Sequence, residues 1–189
     1  MHFLSQKTRM SKSVLDKPAF LILTGASGAG KTTLTLRLSE LAISGVEGIN
    51  CDRVRVEVPE TTSPSDLQAA ILWHWISQSS YERNKIELAV LDTQIRPHRA
   101  QEVLNQAGVV HKQIVLVDCE PMKRNERLRG ERGQPELAIP QMDCWAAYLR
   151  GQADALNLPI IDTSEESIDK SLEKLGRLVR ILLDQARAA

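Results

Sequence analysis

Gly25-Ala26-Ser27-Gly28-Ala29-Gly30-Lys31-Thr32 is a complete G-x-x-x-x-G-K-[ST] pattern, the residue set that wraps main chain around a polyphosphate. The chemistry requires backbone amides facing phosphate oxygens with no side chains between, which Gly25, Gly28 and Gly30 permit. Lys31 would bring a point charge to the β- and γ-phosphates and Thr32 a hydroxyl to Mg²⁺, with Thr33 continuing into the positive end of a helix. A Gly/Ser-rich turn could match the pattern by accident. The flanks argue otherwise, because the apolar run Ala19 to Leu23 enters the loop and Thr32 to Leu38 leaves it with helical spacing.

Two further apolar runs, Leu88 to Leu91 and Ile114 to Val117, end in Asp92 and Asp118. Either carboxylate could hold Mg²⁺ through water, since ligands collect at the carboxyl ends of parallel strands. Either could also cap the next helix, and for Asp118, followed by Cys119-Glu120-Pro121, capping is the favoured expectation. Asp92 is the better metal candidate. Arg96 could bind an anion or form a surface ion pair. Arg124, Arg127, Arg129 and Arg132 could neutralise phosphoryl oxygens in two-pronged fashion. The interleaved Glu120, Glu126 and Glu131 also suit a solvated face, and Arg124 and Arg127 share a helix face that Arg129 leaves.

These residues need a scaffold of alternating strands and helices. Strands are predicted at 19–23, 53–58, 86–91 and 112–117, with a short edge strand at 159–161. Helices are predicted from the loop to about Ser44, from Thr61 onward through Leu67, Ile71 and Trp75, at 97–106, through Met142, Trp145 and Leu149, and from Ile168 to Leu182. Thr163 and Glu166 have capping-box spacing before the last helix. Such alternation implies a parallel sheet covered on both faces. Trp73, His74 and Trp75 lie on the second helix, where packing is the favoured role for His74 and Trp75.

The 189 residues suit one domain, with 42% apolar and 25% charged residues, and Lys plus Arg balances Asp plus Glu at 24 each. No whole-molecule field then attracts nucleic acid or an anionic membrane. Cys51, Cys119 and Cys144 lack C-x-x-C spacing and read as free thiols. No apolar run approaches the roughly 18 residues of a membrane span, so a cytoplasmic location is expected. Residues 1–18 read as an extension and 19–189 as the domain. No H-E-x-x-H, G-x-S-x-G or Cys/His cluster supports a protease, hydrolase or zinc enzyme.

Asp92-Thr93-Gln94-Ile95-Arg96-Pro97 resembles the Asp-Gly-Phe-Pro-Arg segment of adenylate kinases and related nucleoside monophosphate kinases, although Thr93, Gln94 and Ile95 depart from it. Over roughly residues 19 to 189 the chain is thus similar to P-loop small-molecule kinases. That resemblance implies a three-layer α/β sandwich with a five-stranded parallel sheet in the order 2-3-1-4-5, and a lid at roughly 122–137. It places Asp92 with Thr32 at Mg²⁺, Arg96 on the acceptor and Arg124, Arg127 and Arg132 on the transferring phosphoryl group. Thr163, in Asp162-Thr163-Ser164, falls where these kinases hold adenine. ATP- and Mg²⁺-dependent transfer to a small anionic acceptor is the expected function, and a regulatory ATPase or switch is the alternative. Asp52 or Glu57 could orient an acceptor hydroxyl. Neither a nucleic-acid nor a membrane partner is expected.

Overall fold

A computed structural model describes residues 18–51, 56–57, 59–60, 62–78 and 80–188. Its centre is β1 (Ala19–Thr24), buried at every residue. The period of two along this strand sends Ala19, Leu21 and Leu23 to one face and Phe20 and Ile22 to the other. On the first face they pack with Leu34 and Leu38 of α1 (Lys31–Glu40) and with Leu175, Val179 and Leu182 of the terminal α7 (Ile168–Arg187). On the second they meet Ala69 and Leu72 of α2 (Pro64–Ile76) and Ala100, Val103 and Leu104 of α4 (Pro97–Gln106). A helix–sheet–helix sandwich follows, each buried Leu or Ile contributing about 1.5–3 kcal/mol.

Between these lie β2 (Val46–Asn50), a short α3 (Ser80–Arg83), β3 (Leu88–Asp92) and β4 (Lys112–Asp118). α5 (Pro121–Arg129), a single 3₁₀ turn (Pro135–Leu137), α6 (Pro140–Ala155) and β5 (Ile160–Asp162) complete the order. The five strands pair in parallel as β2-β3-β1-β4-β5, the expected order. The register sets Leu23 beside Asp92 and Asp118 beside Asp162, so the loops carrying chemistry leave one end of the sheet.

Three expectations change. The second strand is 46–50 rather than 53–58, and the first helix ends at Glu40. β2 has little apolar alternation because it packs close under α1: a Cβ at Gly48 would come within 2.6 Å of Ser39 Oγ. In the run first read as a strand, Val56 and Glu57 are not extended in the sheet, while residues 53–55 and 58 lie outside the described residues. The last helix is capped by Ser167, whose Oγ accepts from the Lys170 amide, and not by Thr163. Among the described residues no helix is long and apolar enough to cross a membrane.

Candidate functional site

The loop between β1 and α1 takes its shape from contacts that exclude side chains. A Cβ on Gly25 would run into the Val117 carbonyl oxygen, and Gly28 has φ of 83° with Arg124 packed against it. Helix α1 opens on Gly30 with no side-chain cap and no acidic residue in its first turn, leaving the amides of that turn to face the loop. Lys31 is buried, and its ammonium donates to the carbonyls of Gly25 (2.8 Å) and Ala26 (3.1 Å). Ala26, Ser27 and Ala29 are also buried, whereas Thr33 is exposed.

β3 brings Asp92 to this loop. The Thr32 hydroxyl donates to Asp92 Oδ2 at 2.6 Å, across sixty residues of sequence, and Asp92 is 1% exposed. A hydroxyl and a carboxylate side by side at a phosphate loop fit Mg²⁺, which takes one or two protein oxygens together with phosphate and water. Asp118 is placed differently from both sequence alternatives. Its Oδ1 accepts from the Cys119 amide (2.9 Å) and its Oδ2 from Arg150 (3.0 Å), while the N-cap position of α5 falls two residues later on Glu120. Capping fails because β4 continues to Asp118 and Pro121 starts the helix. Its hydrogen bond holds the Arg150 guanidinium above its usual pKa.

After Asp92 the chain turns tightly. The Thr93 hydroxyl accepts from the Ile95 amide, the Thr24 hydroxyl donates to the Ile95 carbonyl, and Ser27 Oγ lies 3.5 Å from Gln94 Oε1. Arg96 then leads into α4. Its guanidinium carbon stands 5.7 Å from the Trp145 ring and 5.5 Å from the Tyr148 ring of α6. Pro64, Leu67, Gln68, Gln94, Arg96 and Trp145, with neighbouring residues, enclose a cavity of about 310 Å³. Leu67 and Gln68 place it at the start of α2, away from Trp73 and His74, which are exposed; Trp75 packs against the core as expected, whereas His74, expected to pack with it, faces outward.

The arginines of α5 separate. Arg124 is 1% exposed; its guanidinium donates to the Cys119 carbonyl (3.0 Å) and pairs with Asp143 of α6. It lies beneath the phosphate loop, not on a free lid. Arg127 donates to the Thr163 hydroxyl (2.9 Å) and carbonyl (2.7 Å), while the Thr163 hydroxyl donates to the Ala29 carbonyl (2.9 Å). Gly30, Thr33, Arg127, Glu131 and Thr163 line a second cavity of about 220 Å³, continued by Glu166, Ile168 and Ser171. Arg129 and Arg132 are exposed, and the Arg132 amide donates to the Arg127 carbonyl. Asp52 lies outside the described residues, and Glu57 is exposed.

A family model described as an AAA domain matches residues 14–118, the stretch from before β1 to the end of β4. The chain belongs to the AAA domain family. The solved structures add the fold of the whole chain. A shikimate kinase from Acinetobacter baumannii in complex with shikimate is 17% identical, with a TM-score of 0.56 over 86% of this chain and 93% of that one. A gluconokinase from Sinorhizobium meliloti 1021 is 16% identical, with 0.54 over 89% and 97%. The APS kinase CysC of Mycobacterium tuberculosis, in complex with AMPPNP and APS, is 18% identical, with 0.53 over 87% and 98%. This AAA-family chain therefore has the fold of P-loop kinases, and with it a nucleotide-binding loop. No match was found among curated proteins.

Sequence reasoning missed Asp143, Tyr148 and the cavity-facing role of Trp145. Trp145 and Tyr148 stand three apart on one helix, a spacing that equally suits a core face. What distinguishes them is Arg96, forty-nine residues before Trp145 in sequence.

Proposed function

We propose that this protein transfers the γ-phosphoryl group of Mg·ATP to a small anionic acceptor. The observation that carries this reading is the pair of cavities flanking one phosphate loop. Gly30 lines the smaller, while Thr24 and Ser27 reach the Gln94–Ile95 wall of the larger. In this reading adenosine occupies the cavity of Arg127 and Thr163, and the acceptor occupies that of Arg96. A simple nucleotide switch needs the first cavity and has no use for the second.

Each residue then has a task. The loop amides and Lys31 neutralise the β- and γ-phosphates, and Thr32 and Asp92 would hold Mg²⁺, which supplies charge neutralisation at the transferring group. Arg96 fixes the acceptor's acid group. Among the described residues it is the one charged residue lining its cavity, which favours an acceptor with one anionic group over a polyphosphate. Arg127 lies against the nucleoside, Arg124 braces the loop from below, and the exposed Arg132, just beyond α5, closes over the phosphoryl group.

Membership in the AAA domain family favours a second reading, an ATPase whose hydrolysis drives a partner interaction. One experiment separates them: ADP release from Mg·ATP is followed with and without a panel of sugar acids, hydroxy acids and nucleoside monophosphates. A kinase shows acceptor-dependent release and a phosphorylated product. Steady hydrolysis indifferent to every acceptor establishes the ATPase.

A further inference from the structure

The Trp145 and Tyr148 rings are stacked, with centroids 5.6 Å apart and planes at 19°, and the Arg96 guanidinium sits over both. The outer edge of this stack is tied back to α4. Gln152 donates to the Tyr148 hydroxyl at 2.7 Å, and its Nε2 lies 2.9 Å from Nδ1 of His98, two residues beyond Arg96. Trp145, Tyr148 and Gln152 fall at i, i+3 and i+7, so one stripe of α6 clasps the first turn of α4 at two points. Among the described residues no carboxylate pairs with Arg96, and Pro97 fixes the backbone that carries it.

A long arginine side chain normally samples many rotamers, and holding one for an incoming ligand costs binding free energy. Two aromatic rings beside the guanidinium carbon restrict that freedom, and the N–H edge is the part of the group that forks onto an acid. We propose that Tyr148 is a positioning residue for acceptor binding: with Trp145 it forms a platform that holds the Arg96 fork toward the 310 Å³ cavity for a compact monoanion such as a hydroxy acid. The inference rests on that cavity being the acceptor site. It adds that α6, which contributes a single residue to the cavity lining, sets how tightly the acid is held.

The probe is gluconate, a hydroxylated monoanion, titrated into the full chain with Mg·ADP present while the Arg96 side-chain Nε–Hε signal is followed by NMR. That signal is assigned by its loss in Arg96→Lys and is expected upfield, because the ring faces shield it. Gluconate should shift it and bind. Tyr148→Leu should move the free signal toward its random-coil position and weaken gluconate about fivefold to thirtyfold, the worth of one partly desolvated cation–π contact. Tyr148→Phe keeps the ring and should stay within about threefold, with Mg·ADP affinity serving as the folding control. If Tyr148→Leu binds gluconate as the parent does while Arg96→Lys does not, the platform idea is wrong and the acceptor site survives. Should gluconate leave the Arg96 signal of the parent unmoved, the monoanion cavity itself is overturned, and the platform with it. Equal loss in Tyr148→Phe and Tyr148→Leu, or a parallel loss of Mg·ADP affinity, assigns Tyr148 to general packing and also rejects the proposal.

Discussion

Arg124 lies directly against Gly28: a Cβ on that glycine would come within 2.7 Å of Arg124 Cγ and 3.0 Å of Leu128 Cγ. The phosphate loop therefore rests on the buried face of α5, and Gly28 is also held at a positive φ that other residues adopt with strain. Gly28→Ala should lift the loop and weaken ATP binding by more than about tenfold. Calorimetric titration with ATP checks this. Retention of parental affinity would show that the loop shifts freely.

Arg124→Ala should act first on stability. It leaves Asp143 without its guanidinium and opens space under the loop, costing about 3 kcal/mol, at the low end for a broken buried pair because Asp143 is partly exposed. Arg127→Ala, by contrast, removes partly buried contacts to Thr163 and to the Cys119 sulfur and should raise KM for ATP severalfold with little change in unfolding. Urea unfolding and initial-rate kinetics on both variants distinguish a brace from a nucleoside contact.

The two strand-end aspartates should behave differently. Asp92→Asn weakens the hard-oxygen pair formed with Thr32 and should lower ATP turnover on the order of 100-fold, partly recovered at high Mg²⁺. Asp118→Asn loses an exposed ion pair with Arg150 and should cost less than about 1 kcal/mol of stability and only a few-fold in rate. Turnover measured across a Mg²⁺ series decides it, and a dead Asp118→Asn with a mild Asp92→Asn would move the metal site to β4.

Lys31→Ala should reduce turnover on the order of 1,000-fold while the chain stays folded. The ammonium's bonds to the Gly25 and Ala26 carbonyls are local to the loop, so the sheet does not depend on them. Circular dichroism alongside ADP release tests both halves of the statement.

Burial raises the Asp162 carboxyl pKa, but hydrogen bonds from the Ser164 hydroxyl and amide, with Arg150 and Lys174 nearby, outweigh it and hold the group below the usual aspartate value. A depressed folded-state pKa contributes stability above the unfolded value, about 4, that is lost as pH falls through the folded value. Urea midpoints between pH 6 and pH 2.5 should therefore drop below about pH 4, and Ser164→Ala should flatten that drop. An unchanged slope in Ser164→Ala would assign the acid sensitivity to other carboxylates.

The sequence by itself determined the phosphate loop, because Gly25 to Thr32 specifies its geometry through covalent freedoms that are local: missing Cβ atoms, a strand before and a helix after. It also determined β1, β3 and β4, whose continuous apolar runs reflect burial on both sides of the sheet. Strand β2 escaped because its residues are chosen for close approach under α1, which leaves no apolar alternation to read. The joining of Thr32 to Asp92 was anticipated through resemblance, but the split between Arg124 and Arg127 was not. One turn apart on α5, they differ in burial and partners because one side of that turn meets Gly28 and Asp143 while the other meets Thr163. Trp145 and Tyr148 likewise looked like any helix face until Arg96 was placed over them. Charge and ring type are written in the chain, but which faces meet is fixed by how α4, α5 and α6 pack around the sheet, and contacts between residues so distant in sequence leave no local pattern to find.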